Sequence, residues 1–465
     1  MSSKHLFVLF LGIIFVRLWV SDQFPLMDTS EARYGEMARK MVESGNWVTP
    51  KFSDEEPFWG KPPLSFWSQA ASMTLFGESE WAIRFPSLIF HLLSCLLIFS
   101  LLKQQSTIRH GLIACIVYST TALGFMASGV VLTDPALSFS VLLSFYGLWT
   151  FISTHKKYFA YLGFVGVGLG LLAKGPIALV LFTLPVAFWI AINHQWRLLL
   201  TIPWLVGLTI TLGISVPWYW LAEQATPGFI DYFIIGEHFN RYLVSDWAGD
   251  RYGDAHARPL GTIWFFLLFA LFPWVFYGMR SFTWKSVSKN ADRTWRTYLW
   301  TWALVTPIFF TLAGNILWTY LLPCLAPWVI LLSYRFTEEK SNQGDFLIAS
   351  ALVPVVMFAL SFNESLISKS MNQKPLISYW QEMNESNSIP LFYFYKRLYS
   401  GEFYSNNQAK HVKEVEGLPN QGQFYLALRL KDLIRRGIPL GVNCEQAMGP
   451  TIINETALLK CERIL

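Results

Sequence analysis

The sequence carries little charge for its length. Of its 465 residues, 14% are Asp, Glu, Lys or Arg, against roughly 25% in an ordinary soluble domain. Apolar residues make up 53%, and Phe, Trp and Tyr together make up 17%. Soluble domains of this total size need more charge on their surfaces. The composition therefore excludes a series of soluble domains and indicates a polytopic α-helical membrane protein.

Other features are missing as well. The net charge of +5 is small and dispersed, so we expect no nucleic-acid partner. No Cys-x-x-Cys or Cys/His spacing typical of a metal site occurs. No small-x-small cleavage site follows the apolar run Leu6–Val20. We therefore expect an uncleaved first membrane helix, with a cleaved signal peptide as the alternative.

The five cysteines form two groups. Cys95, Cys115 and Cys324 lie in apolar runs and are expected to pack as small hydrophobic side chains. Cys444 and Cys461 lie close together in the polar C-terminal region. If that region is outside the cytoplasm, a disulfide between them is plausible. Two free thiols are the alternative.

Long apolar runs recur along the chain. A bilayer core of roughly 30 Å needs about 20 apolar residues per helix, and about eleven runs approach that length. They lie near residues 5–20, 86–102, 111–127, 136–154, 158–173, 177–193, 199–217, 260–279, 298–313, 319–334 and 346–361. The sequence thus predicts about eleven membrane spans, give or take one or two.

The basic residues of the short loops agree on one orientation. If Lys4 is cytoplasmic, the following residues are cytoplasmic too: Lys103, Arg109, Lys156, Lys157, Arg197, Arg280, Lys285, Lys289, Arg293, Arg296, Arg335 and Lys340. The loops 21–85 and 218–259 and the C-terminal region are then outside. We therefore predict a membrane domain over 1–362, which includes both loops, and a soluble extracytoplasmic domain over 363–465.

The C-terminal domain is predicted to be small and of the α+β class. Ile389–Tyr395 and Gln423–Leu430 are candidate strands, separated by segments with Gly, Asn and Pro.

The first outer loop is too structured to be a linker. Tyr34, Met37, Ala38, Met41 and Val42 follow a helical period within residues 27–42. Because charged residues occupy the opposite face, we expect this helix to lie in the membrane interface and to end at Gly45. A second helix is predicted over Pro62–Phe76 and is closed by Gly77.

Asp28 and Glu31 stand at the start of the first of these helices, and two interpretations remain open. Their spacing fits a capping box, in which the two side chains satisfy the first backbone N–H groups. Alternatively, Asp28 is a general base at the mouth of a membrane cavity. In that case Asp28→Asn abolishes the reaction. Both can hold together if Glu31 caps the helix and Asp28 performs the chemistry.

A family resemblance rests on three stretches of this loop. They are Asp28-x-x-Glu31-Ala-Arg33-Tyr34-x-Glu36, the stretch Ser44-Gly-Asn-Trp-Val-Thr-Pro50, and Lys61-Pro-Pro-Leu-x-x-Trp67. Together they resemble the polyprenyl-phosphate-dependent glycosyltransferases of the GT-C superfamily, over roughly residues 1–335. The most similar group is the aminoarabinose transferases that modify lipid A, with the protein O-mannosyltransferases more distant. The resemblance implies a GT-C-like fold and substrate-binding roles for Arg33, Tyr34 and Lys61.

Further stretches match the same family in segments already placed outside. The residues they contribute are Asp134, Lys174, Arg241, His256, Arg258 and Tyr320. The resemblance implies a catalytic role for Asp134 and contacts to the donor or its phosphate for the others. Each has a structural alternative. Asp134 before Pro135 suits a helix cap, Lys174-Gly175-Pro176 a tight turn, Tyr320 an aromatic belt, and Lys61 and His256 polar positions at the interface.

The sequence also departs from the family pattern. The family usually has adjacent Asp-Glu before the Arg-Tyr, whereas Ser30 precedes Glu31 here. A Glu suggested as a metal ligand in the family is replaced by Gly60, and a Lys expected before the Tyr-x-x-Pro segment is missing. We therefore assign no metal ligands, and the cofactor requirement stays undetermined, with a divalent metal as the alternative.

The resemblance implies inverting transfer of a sugar from a polyprenyl-phosphate carrier to an envelope acceptor such as lipid A. Catalysis is assigned to Asp28, Glu31 and Asp134. The expected partners are the lipid-linked donor, a lipid or glycan acceptor and the bacterial inner membrane, with the reaction on its periplasmic face. The alternatives are a protein O-mannosyltransferase and a flippase or transporter of lipid-linked sugars. A transporter would place its ionisable residues near the midplane of its spans, whereas those of this chain gather in two outer loops.

Overall fold

The computed structural model of the 465-residue chain describes residues 1–28, 30–53, 56–244, 247–249, 251–252, 256–279, 293–338, 343–363, 371–384, 389–446 and 452–463. The predicted cytoplasmic residues Arg280, Lys285, Lys289 and Lys340 lie outside these ranges. The boundary predicted at 362/363 lies beside residues 364–370, which are also outside them.

Helices dominate the first 360 residues. They are α1 (Ser3–Gln23), α2 (Ser30–Ser44), α3 (Leu64–Phe76), α4 (Glu80–Gln105), α5 (Ile108–Thr120), α6 (Ala122–Ala127), α7 (Asp134–Thr154), α8 (Lys157–Lys174), α9 (Ile177–Asn193), α10 (Leu198–Thr201), α11 (Trp204–Ala225), α12 (Arg241–Leu243), α13 (Thr262–Ala270), α14 (Val275–Met279), α15 (Arg293–Thr311), α16 (Leu322–Glu338) and α17 (Gln343–Leu360). A π-helix over Asp231–Asn240 precedes α12, and a 3₁₀ turn over Trp318–Leu321 precedes α16. Every predicted span coincides with one or two of these helices.

Six helical segments within the described residues are long and apolar enough to cross a membrane. They are α1, α4, α7, α11, Trp318–Thr337 and α17. The protein is therefore a multi-pass membrane protein, as predicted. The exact number of spans, about eleven from the sequence, stays a prediction.

The high aromatic content fills the centre of the helical bundle. Trp149 of α7, Trp189 of α9 and Trp295 of α15 are buried, and the rings of Trp149 and Trp295 lie 4.6 Å apart. Trp302 stacks on Phe145 at 4.0 Å. Large buried rings supply most of the dispersion contacts between helices in such a core.

Small residues bring α7 and α8 together. A Cβ atom added to Gly147 would lie 2.4 Å from the backbone nitrogen of Gly163. Only glycine fits at such a contact, and close backbone approach is how membrane helices commonly associate. The two helices therefore form a tight antiparallel pair whose outer ends, Asp134 and Lys174, meet.

The first outer loop forms the two predicted helices, α2 and α3. The helix α2 ends where Gly45 adopts a positive φ of 66°, and α3 ends at Gly77, with a φ of 83°. Tyr34, Met37, Ala38 and Met41 are buried, as their period predicts. The opposite face differs from the expectation, because Glu36, Arg39 and Lys40 are also buried. The C-terminal domain covers this face, and Lys40 lies 3.9 Å from Glu402.

The described part of the C-terminal region contains a sheet, a 3₁₀ turn over Val415–Gly417 and three α-helices: α18 (Lys374–Met383), α19 (Tyr399–Tyr404) and α20 (Leu430–Arg436). Its strands are β1 (Leu391–Phe394), β2 (Lys410–Val412), β3 (Gln423–Arg429), β4 (Val442–Gln446), β5 (Ile452–Ile453) and β6 (Thr456–Arg463). The sheet order is β2-β1-β3-β6-β4, and β5 also pairs with β6. The predicted strands Ile389–Tyr395 and Gln423–Leu430 correspond to β1 and β3, so the α+β class is confirmed.

Two strands of this sheet are joined by a disulfide. Cys444 of β4 and Cys461 of β6 are register partners and are bonded to each other. The three cysteines of the apolar runs are free and buried. Both parts of the cysteine prediction are thus confirmed.

Candidate active site

A cavity of about 860 Å³ opens where several segments of the chain meet. Its wall comes from the first loop, the ends of α7 and α8 at Asp134 and Lys174, the π-helix, the 3₁₀ turn and the C-terminal domain. The described lining residues include three carboxylates, Asp134, Glu237 and Asp432. They also include nine Lys and Arg residues: Arg33, Lys61, Lys174, Arg241, Arg251, Lys396, Arg397, Arg429 and Arg436. Such a cationic excess favours an anionic ligand.

Asp134 and Lys174 form the innermost ion pair of this wall. The Lys174 ammonium donates to Asp134 Oδ1 at 2.7 Å and lies 4.5 Å from the centre of the Tyr320 ring. Asp134 is in the first turn of α7, where Pro135 follows it, but its carboxylate reaches across to α8. The turn expected at Gly175 is present as well. The structural alternatives are therefore compatible with a place in the cavity.

A second cluster joins the first loop to the π-helix. Glu237 accepts from Lys61 at 3.2 Å and from Arg241 at 3.0 Å. The last contact confirms that Glu237 and Arg241 share one helix face. Burial alone raises the pKa of Glu237, but Lys61 and Arg241 outweigh it and hold that pKa below its usual value. The carboxylate therefore fixes two cations beside the cavity.

His238 lies between the Asp134–Lys174 pair and the cluster around Glu237. Its Nδ1 lies 2.8 Å from the Phe233 carbonyl and its Nε2 lies 3.1 Å from the Lys174 carbonyl. Burial lowers the pKa of His238, although the contacts with these two carbonyls act in the opposite direction. The ring thereby holds the π-helix against the end of α8, which sets the spacing between Glu237 and Lys174.

Arg33 and Tyr34 line the cavity from α2. The guanidinium of Arg33 donates to the Tyr252 carbonyl and lies 5.2 Å from the ring of Tyr34. Among the described residues, its buried Nε has no hydrogen-bond partner. Buried donors are normally satisfied, so this atom is an unmet hydrogen-bond donor next to the cavity wall.

The residues 256–259 run beside the segment that precedes the 3₁₀ turn. His256 accepts from the backbone of Ile316 through its carbonyl and lines the cavity. Arg258 is exposed and is not among the described lining residues. The structure thus brings Asp134, Arg33, Tyr34, Lys61, Lys174, Arg241, His256 and Tyr320 to one cavity and leaves Arg258 outside it.

Asp28 also lies outside the cavity lining. Its two carboxylate oxygens accept from the backbone N–H and the hydroxyl of Ser400, in α19 of the C-terminal domain. Burial raises the pKa of Asp28 to about 6, while the Ser400 hydrogen bonds oppose that rise. The first loop and the C-terminal domain are therefore joined at this carboxylate.

Glu31, in the first turn of α2, is buried and binds Arg84. Its oxygens accept from the Arg84 guanidinium at 2.7 and 2.8 Å and from the Val131 N–H at 3.1 Å. It also accepts from the Met27 N–H at 3.2 Å. Glu31 thus accepts from a backbone N–H just before α2, as a capping residue does, although that N–H belongs to Met27 instead of Asp28. The capping role of Asp28 is wrong, because both of its oxygens accept from Ser400. Like Asp28, Glu31 is outside the cavity lining.

Sequence reasoning missed the contribution of the C-terminal domain. Tyr395, Lys396, Arg397, Tyr399, Arg429 and Arg436 all line the cavity. The available signals were two basic pairs, Lys396-Arg397 and Arg435-Arg436, that follow a strand and end a helix. They fall outside the stretch in which the family resemblance lies.

The cavity carboxylates do not fit a divalent metal. Asp134 contacts Lys174, and Glu237 contacts Lys61 and Arg241. Within the described ranges, no three Asp, Glu, His or Cys side chains come together as metal ligands would. We therefore derive no reaction step through a metal.

Comparisons with known proteins agree with this architecture. Residues 4–233 match the family model of dolichyl-phosphate-mannose-protein mannosyltransferases. An undecaprenyl phosphate-α-4-amino-4-deoxy-L-arabinose arabinosyl transferase of Erwinia tasmaniensis is 29% identical over 71% of this chain and 59% of its own length. A transferase of the same name from Pseudomonas fluorescens is 29% identical over 77% and 64%. The chain thus spans about three fifths of the length of these relatives.

The fold itself matches a solved structure over nearly its whole length. The crystal structure of ArnT from Cupriavidus metallidurans bound to undecaprenyl phosphate superposes with a TM-score of 0.80. The match covers 99% of this chain and 98% of that one at 15% identity. The predicted resemblance to the GT-C glycosyltransferases is therefore confirmed in sequence and in fold.

Proposed function

We propose that this chain, a relative of the polyprenyl-phosphate-dependent GT-C glycosyltransferases, transfers a sugar from a polyprenyl-phosphate carrier to an envelope acceptor such as lipid A. The observation that carries this proposal is the cavity with nine cations and three carboxylates among its described lining residues. A lipid-linked sugar has an apolar polyprenyl chain at one end and an anionic phosphate next to the sugar. A cationic cavity at the outer ends of membrane helices suits such a donor.

The reaction we propose is a single displacement with inversion. An oxygen of the acceptor attacks the anomeric carbon and forms the new glycosidic bond. The bond from that carbon to the phosphate oxygen breaks, and its electron pair leaves with the polyprenyl phosphate. Negative charge therefore grows on the leaving phosphate, and preorganised cations lower the barrier by stabilising it.

Lys61 and Arg241 are the residues we assign to the leaving phosphate. Glu237 holds both at hydrogen-bond distance, so little reorganisation is needed when the charge develops. Arg33 is a further cation on the same wall. Tyr34, Tyr320 and His256 complete the donor side of the cavity.

Asp134 is the carboxylate we assign to the acceptor. It takes the proton of an acceptor hydroxyl, or orients Lys174 toward an acceptor phosphate, which needs no base. Asp28, which the sequence makes a candidate base, is turned toward Ser400. We therefore propose that Asp28 and Glu31 position the first loop and that Asp134 acts on the substrate.

For the location, we propose the bacterial inner membrane, with the N-terminus cytoplasmic and the domain over 363–465 periplasmic. The bonded pair Cys444–Cys461 suits an oxidising compartment. The exposed Lys156, Lys157 and Arg197 stand at the ends of helices opposite the cavity, as the positive-inside rule requires.

A second candidate acceptor is a protein hydroxyl. The match of residues 4–233 to a protein mannosyltransferase family favours it specifically. In both reactions the donor side is the same, and only the acceptor differs.

Mass spectrometry of envelope lipids and glycoproteins, with and without the gene, tests the proposal. Loss of a glycosylated lipid A species in the deletion strain, restored by the wild-type gene but not by Asp134→Asn, is the expected result. Loss of glycosylated protein instead selects the second acceptor. An unchanged envelope would overturn the transferase. Loss of the glycosylated species, together with lipid-linked sugar accumulating on the cytoplasmic face, would select a flippase instead.

A further inference from the structure

We propose that the C-terminal domain forms a second phosphate-binding subsite in the same cavity, which holds the phosphate group of an amphipathic acceptor. The subsite consists of Lys396, Arg397, Arg429 and Arg436. The inference rests on the proposed function in that it names the acceptor's subsite for the proposed transfer.

The sheet topology explains why these residues come together. Strand β1 pairs with β3 in parallel, with Leu391 opposite Tyr425. The carboxyl ends of the two strands therefore lie at one edge of the sheet. Lys396 and Arg397 follow β1, and Arg429 ends β3 and leads into α20. Ligands of parallel strands commonly bind at this edge, outside the carboxyl ends of the strands.

Two of the four cations are fixed by carboxylates. Arg397 donates to both oxygens of Glu402 at 2.7 Å and lies 5.1 Å from the ring of Phe52. Arg429 donates to Asp432 at 2.6 Å. These pairs hold the guanidinium groups in place at the cavity wall but leave them only partly able to neutralise a ligand.

The other two cations have no carboxylate partner among the described residues. Lys396 lines the cavity without a side-chain ion pair there. Arg436 lies 5.2 Å from the ring of Tyr395, which orients it without cancelling its charge. An arrangement of two fixed and two uncompensated cations suits a doubly charged phosphate group, which arginine binds with particular geometric fit.

Apolar side chains in the same cavity indicate that the ligand is amphipathic. Leu137 of α7 and Ile177 and Leu181 of α9 line the cavity together with the cations of the C-terminal domain. A lipid with a phosphorylated headgroup offers both a charge for Arg436 and acyl chains for these side chains.

Binding measurements on the full-length protein in nanodiscs test the subsite. The probes are undecaprenyl phosphate, bisphosphorylated lipid A, monophosphorylated lipid A and inorganic phosphate. The test variant is Lys396→Ala/Arg436→Ala. The matched control is Lys410→Ala/Lys431→Ala, which removes two exposed cations of the same domain outside the cavity lining.

We expect the test variant to bind bisphosphorylated lipid A at least tenfold more weakly than the wild type does. It should lose the preference for bisphosphorylated over monophosphorylated lipid A. Its binding of undecaprenyl phosphate should equal that of the wild type. The control variant binds all four probes like the wild type. Inorganic phosphate at millimolar concentration leaves the lipid bound.

Three results would overturn the inference. The first is that the wild type does not bind lipid A, and the second is that the test variant binds it as tightly as the wild type. The third is that micromolar inorganic phosphate displaces lipid A, which would assign the site to free phosphate. Failure of the proposed function is distinct, because it shows as no binding of undecaprenyl phosphate by the wild type. The lipid A measurements then still decide the subsite.

Discussion

The carboxylate of Asp134 lies 2.7 Å from the ammonium of Lys174, across 40 residues of chain. The contact exists because α7 and α8 run antiparallel and are held together at Gly147 and Gly163. The helix pair therefore places one carboxylate and one ammonium group at the same end of the cavity. Lys174 also faces the Tyr320 ring, so three separate segments meet at this ion pair.

Asp134→Asn is expected to lower transfer about 100-fold or more, since the amide cannot accept a proton and holds Lys174 only weakly. The apparent Tm in detergent should also fall, because the buried Lys174 ammonium loses its carboxylate partner, so transfer is measured well below that Tm. The readout is product formation by mass spectrometry with purified protein. Asp231→Asn makes the same chemical change at an exposed position outside the cavity and is expected to leave transfer unchanged. Equal activity of the two variants would remove Asp134 from the mechanism.

Asp28→Asn is expected to change the pH dependence of stability. The pKa of Asp28 is raised from 3.8 to about 6, so the folded state binds its proton more tightly than the unfolded state. Its stabilisation is complete below pH 4 and is lost as the pH rises through about 6. A shift of this size corresponds to about 3 kcal/mol.

The measurement for Asp28 is the apparent Tm of both proteins between pH 4 and 8. The wild type should lose stability relative to Asp28→Asn across this window, and transfer by the variant should fall far less than in Asp134→Asn. Complete loss of transfer with an unchanged pH profile would return Asp28 to the role of base.

Lys61→Ala is expected to weaken binding of undecaprenyl phosphate by about tenfold, the usual value of one charge-assisted hydrogen bond. The KM for the lipid-linked donor should rise, and kcat should fall as well, because Lys61 is assigned to the phosphate that gains charge in the transition state. Lys410→Ala is the control, because Lys410 is an exposed lysine outside the cavity lining. If the KM is unaltered, Lys61 is an interfacial anchor and has no role in donor binding.

Gly147→Ala is expected to destabilise the bundle by about 1–3 kcal/mol, because the added Cβ meets backbone atoms that cannot move aside. Thermal unfolding in detergent gives the measurement. Gly213→Ala in α11 has no atom within 4 Å of its added Cβ and serves as the control. Equal stability of the two variants would show that α7 and α8 tolerate a wider spacing.

Local patterns account for what the sequence predicted well. Apolar runs locate helices because a helix in a bilayer must hide its own backbone, and loop charge predicts one orientation for them. In that orientation, Lys61, Asp134 and Arg241 all fall on one side of the membrane. Their meeting in one cavity then needs only the antiparallel packing of neighbouring helices.

Long-range contacts account for what the sequence did not predict. Asp28 accepts a hydrogen bond from Ser400, 372 residues later in the chain. No local sequence pattern predicts that contact. The charged face of α2 looks solvent-facing by its period, yet Glu402 of the C-terminal domain covers Lys40. Arg258 lies in a basic motif but is exposed and is not among the described lining residues, and the sequence gives no sign of this difference from Arg241.

The wall of the cavity is assembled from segments far apart in the sequence, from Arg33 of the first loop to Arg436 of α20. The ribosome therefore makes the helices α1 to α17 before the segments that carry Lys396, Arg429 and Arg436. Until the strands β1 and β3 have paired and α20 has folded, this part of the wall is missing. The complete cationic surface of the cavity thus forms only after the C-terminal domain has folded.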